Sequence, residues 1–168
     1  MQNSLAIANF FIKSSFATGD EVTPMKLIKL CYIAHGWHLG IYKQPLLDEP
    51  IYAWKFGPVV SNVYHKFKGY GNSQITNYAH TSDGIMLPDV HDIETGMFLQ
   101  KIWDVYRTHD GIRLSAMTHQ SGTPWDTVWN KMNGKDKKDV IIPNNIIQEY
   151  YSGLVRQNAA DEPRATKS

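Results

Sequence analysis

The sequence has a single cysteine, Cys31, among its 168 residues. No disulfide can close within the chain, and a reducing compartment, the cytoplasm, is the expected address. The neighbours Leu30 and Tyr32 mark that thiol as a small buried side chain. Long hydrophobic runs are missing as well. The apolar stretch from Leu5 to Phe16 is interrupted by Asn9 and Lys13 and has no basic segment before it, so neither a membrane span nor an export signal is expected. Charge of one sign is not in excess. With 17 Lys and Arg against 16 Asp and Glu the net charge is +1, which removes the basic field that draws proteins to nucleic acid. A Gly-x-Ser-x-Gly turn and a His-Glu-x-x-His pair are also lacking, which excludes two familiar catalytic arrangements.

What remains describes an ordinary soluble core. Hydrophobic residues make up 42% and charged residues 20% of the chain, enough to bury one core without staples. No internal repeat divides it. The expected fold is mainly α, a compact multi-helix single domain over residues 1–156 with one or two short β-strands. The almost wholly polar stretch 157–168 is expected to be a flexible C-terminal tail.

Periodicity supplies the helices. Leu5, Ala8, Ile12 and Phe16 recur at helical spacing, and a helix should end near Gly19. Thr23-Pro24 is a cap followed by a favoured first-turn proline, so a second helix should run from there to about Tyr42. Its stripe of Leu27, Leu30, Cys31, Ala34 and His38, broadened by Ile28, Tyr32 and Leu39, predicts burial on more than one side. Ile51 to Trp54 predicts a short strand, and Gly57-Pro58 is read as reopening a helix through Phe67. Residues 72–88 keep no period and predict a loop, with room for a second strand over 74–78. Asp89 and Asp92 predict a capping box for a fourth helix reaching about Thr108. Shorter helices are expected over Ile112 to His119 and from the Thr123-Pro124 cap through Trp129, and a last one from Ile146 to Leu154.

Three clusters, in this order, resemble one known family. The first is Leu30-Cys31-Tyr32-Ile33-Ala34-His35-Gly36 within the stretch Thr23 to Asp48. The second is Ile51-Tyr52-Ala53-Trp54-Lys55-Phe56-Gly57-Pro58-Val59-Val60 with Val63-Tyr64. The third is Leu114-Ser115-Ala116-Met117-Thr118-His119 followed by Pro124-Trp125. Together they resemble the Panacea, or SocA-like, antitoxin domain, with Tyr32, Gly36, Val59, Thr118, His119 and Pro124 at motif positions and Met117 where leucine is usual. The resemblance implies a helical antitoxin that neutralises a co-encoded protein toxin, by direct binding or by delivery to an ATP-dependent Clp-type protease. It implies no cofactor and no catalytic residue, and it leaves room for a homo-oligomer. Family members with an added DNA-binding domain exist; a second such unit is not expected here.

The residues that would meet a partner are the aromatic and turn-forming ones: Trp54, Phe56, Gly57, Pro58 and Tyr64, with Trp125 and Trp129. The competing reading makes Trp54 a strand residue packed on the neighbouring helix, with no direct contact role. His119 with Ser115 or Ser121 offers a base and a nucleophile without a third orienting group. Cys31, His35 and His38 share a helix side at ligand spacing, the seed of a small metal-dependent hydrolase, but no second ligand pair follows. Helices one and two could pass for a helix-turn-helix in a DNA-binding regulator, yet the second offers only Lys26 and Lys29 among apolar side chains. The lysine-rich stretch 131–138, broken by Asp136 and Gly134, reads as a solvated loop able to steer an acidic partner.

Overall fold

The computed structural model describes residues 1–84 and 86–161. Asn3 caps α1 (Ser4–Thr18) by accepting from the Leu5 amide, and Gly19 ends it with a φ of 78°. At the next helix, Thr23 accepts from the Lys26 amide and Pro24 fills the first turn, where a missing N–H costs nothing. This helix, α2 (Pro24–Tyr42), is the axis of the molecule: 14 of its 19 residues are buried. It is surrounded by α1, α4 (Ile93–Tyr106), α5 (Gly111–His119) and α7 (Asn144–Asp161).

Two glycines one turn apart explain how closely α7 lies on α2. A Cβ at Gly36 would overlap the ring of Tyr151, and one at Gly40 would fall 2.8 Å from the Tyr151 backbone. The glycines therefore form a groove that Tyr151 fills, with Trp37 and Tyr32 packed edge-on against its ring.

The central helix also rules out the helix-turn-helix alternative. Both of its lysines are buried. Lys26 donates to the Arg107 carbonyl and lies 5.4 Å over the Trp103 ring, so its charge is spent on the core and α2 has no basic face for a groove.

The sheet has three antiparallel strands in the order β2-β1-β3: β1 (Ile51–Trp54), β2 (Gly57–Val60) and β3 (Val140–Ile142). Trp54 pairs with Gly57, leaving Lys55-Phe56 as a two-residue hairpin tip. Here the sequence expectation is corrected. Gly57-Pro58 does not open a helix; it continues β2, and α3 (Ser61–Phe67) begins only after Val60. Gly57 has a φ of +113°, incompatible with a helix, and Pro58 sits on a sheet edge, where its missing N–H breaks no ladder bond.

The expected strand over 74–78 is likewise not formed. Ile75 and Ala79 are buried one by one, Ile75 with its backbone N–H donating to the Val22 carbonyl and Ala79 held by Asn9. Asn9, inside α1, donates to the carbonyls of Ala79 and Pro88 and accepts from the Ala79 amide. One buried amide thus holds a loop that has no periodicity of its own. The capping of α4 is also simpler than expected: Asp92 alone accepts from the Thr95 amide, while Asp89 bonds to Val90.

After α5, Thr123 accepts from the Asp126 amide to start α6 (Pro124–Asp126), which widens into a π turn over Thr127–Lys131. Asp126 answers by accepting from the Gly122 amide and from Asn130. The last helix, α7, extends past the expected Leu154 to Asp161, so it takes in part of the segment expected to be a tail. Residues 162–168 lie outside the described residues. Among the described residues no helix is long and apolar enough to cross a membrane.

Candidate partner-binding site

The three sequence clusters meet at the β1–β2 hairpin. From the first, Lys29 sends its ammonium to the carbonyls of Phe56 and Pro58, both at 3.0 Å. From the third, Ser115 Oγ donates to the same Phe56 carbonyl at 3.0 Å, and Trp125 Nε1 donates to the Trp54 carbonyl at 2.6 Å. Helices α2, α5 and α6 therefore each hold the turn by at least one hydrogen bond.

Lys29 is 3% exposed and has no carboxylate partner among the described residues. Burial disfavours the ammonium and lowers its pKa to about 7. Neutral or charged, it carries enough protons for both carbonyls. Gly57 makes room for it, since a Cβ there would stand 2.9 Å from Lys29 Nζ and 3.4 Å from His119 Cβ. Gly57→Ala is accordingly expected to lower stability by about 1–3 kcal/mol, from backbone strain at positive φ and from displacement of the lysine. Urea unfolding of the two proteins measures it, and an unchanged midpoint would refute the crowding.

The aromatic candidates divide sharply. Phe56 stands 64% exposed at the tip, whereas Trp125 is 6% exposed beneath it. Trp54 is half-buried, meeting Tyr64 edge-on at 5.0 Å, which is the packed arrangement of the competing reading. Gly57, Pro58 and Val59 are buried. Trp129 stacks on Trp125 at 5.5 Å, and His119 meets Trp125 edge-on. Pro24, Met25, Ile28, Trp54, Phe56, Val59 and Tyr64 line a cleft of about 400 Å³ beside the tip.

The other motif residues lie around a second, smaller cleft of about 230 Å³, where Tyr32, Thr118 and Pro124 face Tyr106, Tyr150 and Tyr151. Thr118 is tied into its own helix through the carbonyls of Leu114 and Ser115. Gly36 serves the α2–α7 contact described above.

Ser115 and His119 are adjacent but not arranged as nucleophile and base. His119 Nδ1 lies 2.5 Å from the Ser115 carbonyl, which can only accept, so that nitrogen holds its proton and cannot take one from Ser115 Oγ. The Ser115 hydroxyl is committed to Phe56.

The Cys31, His35 and His38 trio is also dispersed. His35 Nδ1 accepts from the Leu47 amide, which leaves Nε2–H to donate to Asn144 at 2.9 Å, while His38 Nδ1 bonds to the Gln44 carbonyl. Burial pushes the Cys31 thiol pKa far up and lowers that of His35. Among the described residues no three His, Cys, Asp or Glu side chains gather in a metal-holding group.

Residues 27–126 match the family model described as antitoxin SocA-like, Panacea domain. The chain belongs to that family. It is 33% identical over 132 residues to Antitoxin SocA of Caulobacter vibrioides (strain NA1000 / CB15N), an alignment covering 74% of this chain and 69% of that protein. No solved structure matches. The Panacea span contains the three side chains that bond to the hairpin turn, Lys29, Ser115 and Trp125, and omits α1, α7 and the strand β3 that pairs with β1.

Sequence reasoning missed Lys29, and it met Ser115 only as a nucleophile it set aside, not as a donor to the hairpin. The available signal was a lysine between Ile28 and Leu30 on a helix whose other sides are apolar, a position where an ammonium must find buried acceptors.

Proposed function

We propose that this chain is an antitoxin that neutralises a co-encoded protein toxin by binding it directly, with the hairpin tip and its flanking cleft as the contact surface. The observation that carries this reading is the exposed Phe56 on a turn held from α2, α5 and α6. An exposed aromatic on a rigid support loses little conformational entropy on docking, and such residues dominate interface energies. The family and its relative named Antitoxin SocA support the same role. Neutralisation of this kind needs no bond chemistry, consistent with Ser115 and His119 being occupied in structural hydrogen bonds. It would take place in the cytoplasm, where Cys31 stays a thiol.

The test is to express the adjoining open reading frame with and without this chain. The expected result is growth arrest by the neighbour alone and rescue on co-expression, with the two proteins co-purifying at a constant ratio. Rescue accompanied by loss of the neighbour, and abolished when a Clp-type protease is deleted, would replace occlusion by delivery for degradation. A neighbour that is harmless, or that is not rescued, would refute the antitoxin reading.

A further inference from the structure

The hairpin closes one route of recognition and leaves another open. Pro58 lies on the edge strand β2 and Phe56 at the tip just before it, and both carbonyls are taken by Lys29 at 3.0 Å. Pro58 has no N–H to offer. An incoming strand therefore finds neither carbonyl free and no N–H at Pro58, which disfavours recognition by strand addition there.

The cleft beside the hairpin is open. Its walls are apolar and aromatic, from Met25 and Ile28 of α2 to Trp54, Phe56 and Tyr64. Lys29, Lys55 and Lys68 also line it, and among the described residues no Asp or Glu does. Lys55 and Lys68 are exposed, and neither has a carboxylate within 4.0 Å among the described residues. In a chain of net charge +1 this is a local positive rim above an apolar floor. An isolated apolar ligand would leave those charges unused, and a purely acidic one would leave the floor wet.

Resting on the antitoxin reading above, we propose that this cleft docks a segment of the partner toxin in which an apolar anchor side chain is flanked by an Asp or Glu. The anchor packs between Met25, Trp54 and Tyr64 beside Phe56, and the carboxylate meets Lys55 or Lys68 at the rim. The anchor sets the lifetime of the complex, while the rim charges set the association rate and the choice of partner.

The experiment titrates the product of the adjoining open reading frame against the full-length chain, Phe56→Asp, and the double variant Lys55→Glu/Lys68→Glu, at low and high salt. Phe56→Asp is expected to weaken binding at least about 30-fold, and the double reversal about tenfold, each factor of ten corresponding to about 1.4 kcal/mol. The wild-type affinity should fall with salt and that of the double variant should not. Replacing the partner's acidic residue by Lys should restore binding to the double variant. All three substituted side chains are exposed, so the thermal midpoints should equal that of the wild type. If the wild-type chain binds and rescues growth while both variants bind as tightly, the docking inference falls and the antitoxin reading stands. If the wild-type chain neither binds nor rescues, both fall.

Discussion

Gly36→Ala is expected to destabilise the protein by about 2 kcal/mol, although alanine is the better helix former by nearly 1 kcal/mol. The new methyl would overlap the ring of Tyr151, which is 5% exposed and wedged against Tyr32 and Trp37. Neither helix can yield easily. One turn on, Gly40 stands against the Tyr151 backbone itself, so α7 is seated on α2 and the ring is left little room between Tyr32 and Trp37. Urea unfolding of Gly36→Ala, Tyr151→Ala and the double variant forms a cycle whose expected coupling is about 1–3 kcal/mol, because removing the ring removes the clash. Strict additivity would mean that the two residues do not meet. Hydrogen exchange should show the loss first in α7, the element that must move.

Lys29→Met is expected to remove a rise in stability between about pH 7 and pH 10.5. In the folded chain the ammonium loses its proton near pH 7, whereas in the unfolded chain it does so near 10.5. Between those values the unfolded state binds a proton that the native state does not, so the contribution of Lys29 to stability rises with pH from about 7 to about 10.5. Below pH 7 both states are charged and the full penalty of burying the ammonium is felt. The size of the rise is on the order of 5 kcal/mol. Methionine cannot titrate, so the variant should lack that rise. At pH 6 it should approach wild-type stability, limited by the Pro58 carbonyl left without a donor. At pH 10 it should be clearly weaker. Parallel stability differences at all pH values would show that Lys29 is solvated in the native state. Because Lys29 also holds the Phe56 carbonyl, the variant should bind its partner more weakly at every pH while it remains folded.

Elements with local causes were legible in advance. Thr23-Pro24 and Thr123-Pro124 start helices because a hydroxyl acceptor and a fixed φ act within three residues, and both starts lie where those residues stand. Gly57-Pro58 misled because the same pair that can open a helix can also leave a hairpin turn. Only the pairing of Trp54 with Gly57 decides between them. Strand β3 was invisible because Val140 to Ile142 is too short for a period, and its partner β1 lies far away in the chain. The loop over 72–88 had no pattern because a single side chain, Asn9, orders it from α1.

For the site, the aromatic residues could be found by type, but not sorted into exposed and buried. Phe56 and Trp125 are equally conspicuous in the sequence; one stands at the tip and the other donates its indole N–H beneath it. Sorting them required knowing which backbone carbonyls face inward.

Composition and periodicity alone determined that this chain builds one mainly helical core around the segment after Thr23, without disulfides and with little net charge. Those properties follow from side-chain volume, apolar spacing and local capping, which act over a few residues. The tertiary structure decided which face is available to a partner, because that depends on Lys29, Ser115 and Trp125 reaching one turn from three separate helices. A hydrogen bond forms only where donor and acceptor are brought within about 3 Å. That proximity is a property of the packed helices and is encoded in no single stretch of the chain.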